Sequence, residues 1–195
     1  MKATYICGSL TDLLSDPWRI FRTARAAVNC LLWLFLWRPL LIFRTAEEIK
    51  VFYSKLADRC AAVVGVRPFV PHEHFDPIAH AGALAQEVDR FERNQLCHHT
   101  SFVVAVHVGS SWGSGIEIEM ANTNNVRVVL LCPKGKKVSR LLRGNPAVKG
   151  IIEYEDEADA LDKLEHFLRV HNWRSLDSRE AGNGQAILTY PQKPA

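Results

Sequence analysis

Ser101-Phe102-Val103-Val104-Ala105-Val106-His107 runs into Val108-Gly109-Ser110-Ser111-Trp112-Gly113-Ser114-Gly115 and then into Ile116-Glu117-Ile118-Glu119. The first segment, rich in Val and Phe, reads as a buried strand. The glycine-serine segment is a turn, and a helical pattern carrying a carboxylate opens directly after it. In an open α/β sheet, ligands bind at the carboxyl ends of the strands. Glycines there let backbone N–H groups approach a phosphate, and a helix N-terminus favours negative charge. Glu117 is therefore a candidate chemical group. The competing reading is that Glu117 and Glu119 are first-turn acids favoured by the helix dipole.

Strands and helices alternate on both sides of this stretch. Thr4-Tyr5-Ile6-Cys7 is a β-prone run stopped by Gly8-Ser9. Residues 66–70 read as a second strand, stopped by Pro71. Val126-Arg127-Val128-Val129-Leu130-Leu131-Cys132 is a near-continuous apolar run of the kind a parallel sheet contains, and Ile151-Ile152-Glu153-Tyr154 is a fifth strand. Thr45-Ala46-Glu47-Glu48 opens a helix with a capping box. Ile49, Phe52, Tyr53, Leu56, Cys60 and Val63 form its apolar stripe, and Gly65 ends it. A helical pattern over residues 79–97 offers Leu84, Val88, Phe91 and Leu96 to the core, with Asp89 and Arg93 spaced to pair on the surface. Ala158, Leu161, Leu164, Phe167 and Leu168 mark a last helix. The alternation predicts an α/β fold with a sheet of about five parallel strands.

The chain of 195 residues suits one domain, over residues 1–174, with 175–195 a loose tail. Residues 11–44 form an apolar insertion within it. Trp18, Phe21, Ala24, Val28, Leu31 and Phe35 recur at helical spacing, and Arg19, Arg22 and Arg25 occupy another face. Leu31-Leu32-Trp33-Leu34-Phe35-Leu36-Trp37 is apolar all round, but the run falls short of the ~20 residues a spanning helix needs. Burial or a subunit contact is the favoured role, and contact with a membrane surface through residues 18–43 is the alternative.

Hydrophobic residues at 48%, charged residues at 23% and a net charge of +3 describe an ordinary globular protein, without the basic excess of a nucleic-acid binder. Cys7, Cys30, Cys60, Cys97 and Cys132 are scattered and odd in number. They argue against a disulfide framework or a zinc site, and for the cytoplasm. Pro71-His72-Glu73-His74-Phe75-Asp76-Pro77 lacks helical metal-ligand spacing and reads as an irregular loop at a strand end. Pro133-Lys134-Gly135-Lys136-Lys137 follows another strand but does not match a phosphate-binding P-loop.

Ligand-facing groups thus collect at four strand ends: Gly8-Ser9, residues 72–76, residues 110–117 and residues 134–139. One carboxylate beside a phosphate-sized turn suits attack on a sugar carbon, with a second group protonating the leaving base.

With these residues the sequence resembles the nucleoside 2-deoxyribosyltransferase-like superfamily, and within it the 2'-deoxynucleoside 5'-monophosphate N-glycosidases. Tyr5-Ile6-Cys7-Gly8-Ser9 is similar to that subgroup's Tyr-x-Cys-Gly-Ser. Ser111-Trp112-Gly113-Ser114-Gly115-Ile116-Glu117 is similar to its Ser-x-Gly-x-Gly-x-Glu, and the segment Ser139 to Gly144 to its Ser-x-x-x-Arg-Gly. The resemblance implies a Rossmann-like open sheet with helices on both faces, a homodimer, and neither metal nor cofactor. It implies Glu117 as nucleophile at C1' of the sugar. It also implies Ser9 and Ser111 as phosphate ligands joined by Ser139 from the neighbouring subunit, and Tyr5, Gly8, His74, Gly113 and Gly115 around the substrate. Two positions depart from the subgroup. Arg93 stands where it has an Asp, leaving Asp89 and Glu92 as the choices for the general acid. Its Arg shortly after Cys-Gly-Ser has no counterpart here, where Thr11 and the insertion follow. The expected activity is an N-glycosidase on a (deoxy)nucleoside 5'-monophosphate. The alternatives are a transferase that exchanges bases and a non-catalytic nucleotide-sensing module.

Overall fold

The computed structural model describes residues 3–8, 46–109, 111–171 and 188–189. The insertion at 11–44, Ser9 and most of the stretch read as a tail lie outside the described residues.

Four strands of six or seven residues, β1 (Ala3–Gly8), β2 (Thr100–Val106), β3 (Arg127–Pro133) and β4 (Val148–Tyr154), pair in that order and all in parallel. A two-residue strand β5 (Leu188–Thr189), within the region expected to be tail, adds to the edge of β4. The described helices are α1 (Ala46–Val64), α2 (Pro71–His74), α3 (Ala85–His99), α4 (Trp112–Thr123), α5 (Arg140–Arg143) and α6 (Glu157–Val170).

Strand alternation divides the core between the two sheet faces. Ile6, Phe102, Val104, Val106, Val129, Leu131 and Ile152 meet α1 and α6 through Phe52, Leu56, Leu164 and Phe167. Tyr5, Cys7, Val103, Ala105, Val128 and Leu130 meet α3 and α4 through Leu96, Ile118 and Ala121. Each fully buried Leu, Ile or Phe contributes roughly 1.5–3 kcal/mol. The α1 stripe read from sequence is buried throughout, and Gly65 follows the helix at φ 85°, the left-handed conformation that favours glycine at a helix end. Among the described residues no helix is long and apolar enough to cross a membrane.

The structure corrects the sequence reading between α1 and α3. The strand expected at 66–70 is reduced to one bridge between Phe69 and Tyr5. There Ile6 N donates to Phe69 O at 3.0 Å, and Phe69 N donates to Thr4 O at 2.7 Å. Pro68 and Pro71 flank Phe69, and each removes a ladder donor. The loop expected at 71–77 contains one helical turn, α2. The helix expected from residue 79 starts at Ala85, because the Asp76 carboxylate accepts from Ile78 N at 2.8 Å and Ala79 N at 2.9 Å and holds the chain in turns. Leu84 and Phe91, assigned to the core, are exposed.

The bridge at Phe69 has a topological consequence. The chain leaves β1 toward the Phe69 edge and returns to form β2 on the other side of β1. This reversal makes the crevice beyond the carboxyl ends of β1 and β2 the switch point of the sheet, where ligands bind in open α/β folds.

Candidate active site

Alternation along β1 directs Tyr5 and Cys7 to the same face, toward α4. The Tyr5 hydroxyl donates to Glu117 Oε1 at 2.8 Å. Cys7, 2% exposed, lies on the same buried face of β1 as Tyr5. α4 begins at Trp112, and its first turn carries no acid. Glu117 therefore sits in the second turn, where the helix dipole alone does not account for a partly buried carboxylate. Glu119 is exposed and is engaged by Asn122 Nδ2 at 3.1 Å and Asn145 Nδ2 at 2.9 Å, a link between α4 and the segment after α5.

α3 supplies a second carboxylate. Val88, Glu92 and Leu96 are spaced four apart, and Leu96 is fully buried, so Glu92 occupies an inward position on the helix. Burial and then the charge of Glu117, with Asp89 behind it, push the Glu92 carboxyl up to about 7. Burial also raises Glu117 above its ordinary value, against the opposing hydrogen bond from Tyr5. Burial and the nearby Glu117 charge hold the Tyr5 phenol and the Cys7 thiol well above their ordinary values, so both remain protonated. Two raised carboxyls thus stand near each other, Glu117 hydrogen-bonded by Tyr5 and Glu92 raised by burial. Asp89, one turn earlier on α3, is exposed and paired with Arg93 at 2.8 Å. The sequence expectation of a surface pair holds, and of the two choices for the acid only Glu92 stands beside Glu117.

Aromatic rings extend from Tyr5. Phe69 stacks on Tyr5 at a centroid distance of 5.2 Å, and His74 stacks on Phe69 at 4.5 Å with the planes 7° apart. Phe91 tilts against both Phe69 and His74, at 5.9 and 6.2 Å. His74 thus belongs to a wall beside the carboxylate pair. Asp76 is instead a loop anchor, paired with Lys50 at 2.5 Å. Among the described residues no group of three His, Cys, Asp or Glu side chains is arranged to hold a metal ion.

Ser111, Gly115 and Ser139 come together in a cleft of about 630 Å³ between α4 and α5, with His107, Ser114 and Asn145. Ser111 caps α4 by accepting from Ser114 N at 3.4 Å, and Ser139 caps α5 by accepting from Leu142 N at 3.0 Å. The Ser114 hydroxyl is buried without a hydrogen-bond partner. The Lys136 ammonium donates to Val108 O at the cleft's β2 end. Ser111 and Ser139 meet within one chain, whereas the resemblance implies Ser139 from a neighbouring subunit. Glu117 does not line this cleft; it is on the β1 flank of the same helix. Gly113 and Gly115 open the first turn of α4, and a Cβ at Gly115 would meet nothing within 4 Å. Gly8 is fixed by packing: a Cβ there would approach the Tyr53 hydroxyl to 2.0 Å and Val106 O to 3.1 Å.

The sequence reading gave no site role to Phe69, Phe91 or Ser114, although Ser114 lies inside the Ser111 to Glu117 motif.

No family model and no curated protein matches this sequence. Among solved structures the fold is similar to that of a Clostridium botulinum CMP N-glycosidase, BcmB. The two are 21% identical, the match covers 62% of this chain and 94% of that chain, and the TM-score is 0.46.

Proposed function

We propose that this protein is an N-glycosidase that cleaves the base–sugar bond of a nucleoside 5'-monophosphate. The observation that carries the reading is the carboxylate pair: Glu117, held by the Tyr5 hydroxyl at 2.8 Å, beside Glu92, whose proton affinity reaches about 7. An ionised Glu117 oxygen attacks C1', the C1'–N bond breaks toward the base, and Glu92 delivers its proton to the leaving nitrogen. Water then attacks C1' of the glycosyl ester. Glu92, now ionised, takes the water's proton, and Glu117 leaves as carboxylate, so the sugar retains its configuration.

The wall of Phe69, His74 and Phe91 offers faces on which a base can stack. The phosphate preference is supported by the amino-terminal turn of α4, by Ser111 and Ser139 in one cleft, and by the partnerless Ser114 hydroxyl. The tight N-terminal glycines leave room for an anion to approach the backbone. The homodimer that the resemblance implies has a candidate face here. Trp112 (89% exposed) and Ile116 (54%) lie one turn apart on α4, and Leu141 (87%) borders the cleft on α5. Sedimentation of Trp112→Glu with Leu141→Glu, compared with wild type, tests it.

The activity is tested by incubating purified protein with a panel of nucleoside 5'-monophosphates and nucleosides and following free base. Release from monophosphates in preference to nucleosides is the expected result. Base exchange only on addition of a second base marks a transferase. Tight binding without release marks a sensing module.

A further inference from the structure

We propose that the fork between Arg67 and Glu73 positions the base-stacking wall: it sets how His74 lies on Phe69, and so how tightly the base is held. The inference rests on the N-glycosidase reading and deepens it. α2 is a single turn with no buried residue and no side-chain cap at its amino terminus. A helix of four residues does not hold itself, so its place is set by what its side chains grip. Glu73 grips two neighbours. Its Oε2 accepts from Arg67 Nη1 at 2.5 Å, and its Oε1 accepts from Arg67 Nη2 at 2.7 Å and from the Ser54 hydroxyl of α1 at 3.1 Å. The Arg67 guanidinium also holds the Glu73 carboxyl below its ordinary value, so the fork is an ion pair at neutral pH. Paired contacts fix direction as well as distance, which a point charge on a flexible stem does not. Arg67 stands two positions before Phe69, which is held to β1 by its bridge to Tyr5. Glu73 stands one position before His74. The fork therefore joins the two segments that carry the two rings, and those rings lie 4.5 Å apart with their planes 7° off parallel. Asp76, paired with Lys50 of α1, anchors the turn after α2.

Arg67→Ala, Glu73→Ala and the double variant test whether the two residues act as a unit. In wild type the His74 ring protons, assigned by NMR against His74→Gln, are displaced by the ring current of Phe69. In either single variant they move toward the positions of an unstacked histidine, and the double variant adds no further change. KM for a nucleoside 5'-monophosphate rises roughly three- to fivefold with kcat within about twofold, as expected for lost binding shared by ground and transition states. Inhibition by ribose 5-phosphate, which has no base to stack, is unchanged. Arg67→Lys keeps the charge without the fork and follows Arg67→Ala rather than wild type. Asp58→Ala, which removes only the 3.4 Å contact to Arg67 Nε, follows wild type. Unmoved His74 protons and unchanged KM in Arg67→Ala and Glu73→Ala overturn the proposal. Equal losses of monophosphate and ribose 5-phosphate binding also overturn it, because they mark a general loosening of the fold. If the alanine variants do not fold, Arg67→Lys decides, and His74 protons and a KM that match wild type overturn the proposal. If no nucleotide releases base, the glycosidase reading fails, and the His74 protons still decide whether the fork sets the stack.

Discussion

The Tyr5 hydroxyl reaches the Glu117 carboxylate at 2.8 Å across 112 positions of sequence, joining the first strand of the sheet to the helix after its second. Parallel pairing makes this possible. β1 and β2 are hydrogen-bonded neighbours, so an inward side chain of β1 faces the helix that β2 launches.

Tyr5→Phe tests that bond. The ring keeps its stack on Phe69, so the fold is retained. Loss of one donor to a buried charge costs about 1.5–3 kcal/mol, so kcat/KM falls roughly 10- to 100-fold. Without the donor the proton affinity of Glu117 rises further, and the acid limb of the pH–rate profile moves to higher pH. Steady-state kinetics across pH, with circular dichroism as a control for folding, check both outcomes.

The carboxylate pair sets the sign of the pH dependence. Attack needs Glu117 ionised, and its raised proton affinity puts the acid limb above the ordinary 4.5. Protonation of the leaving base needs Glu92 protonated, so activity falls again as pH rises through about 7. The profile of kcat/KM is therefore a bell whose two apparent values belong to the coupled pair. Glu92→Gln lowers kcat roughly 10²- to 10⁴-fold and abolishes the alkaline limb. Asp89→Asn removes a charge that helps to raise Glu92, so the bell persists with its alkaline limb moved to lower pH.

Asp76 carries a stability prediction separate from the chemistry. Lys50, followed by the backbone N–H groups of Ala79 and Ile78, holds its carboxyl down at about 2 against an ordinary 3.8. A depressed carboxylate contributes stability above its unfolded value and loses it as pH falls through its folded value. The difference corresponds to about 2 kcal/mol. Asp76→Ala is accordingly less stable in denaturant at neutral pH by about that amount. The gap between variant and wild type closes as pH falls from 3.8 toward 2.

Much of the fold was legible because its strands are buried on both faces. Val103, Val104 and Ala105, and Val128 to Leu131, are apolar without a break, and no competing pattern covers them. The edge at Phe69 was not legible as what it is. A strand-like composition there is overruled by Pro68 and Pro71, which leave only one bridge to β1. The start of α3 was missed for a different reason. A side-chain carboxylate, Asp76, captures backbone donors, and periodicity does not register it.

The site was legible in its motif residues and less so in their partners. Glu117 was singled out from Glu119, and the structure separates them: one bonded to Tyr5, the other exposed and tied to Asn122 and Asn145. The acid was ambiguous between Asp89 and Glu92, which are three residues apart. The buried Leu96, one turn beyond Glu92, puts Glu92 rather than Asp89 on the inward side of α3, but that burial is a tertiary fact. Ser9 and residues 11–44 lie outside the described residues.

The most direct measurement is free-base release from nucleoside 5'-monophosphates by wild type and Glu117→Ala, with mass spectrometry of the peptide carrying Glu117 after quenching during turnover. The account predicts release by wild type, a loss of at least about 10³-fold in Glu117→Ala, and a sugar phosphate ester on Glu117. Release at the wild-type rate by Glu117→Ala contradicts it.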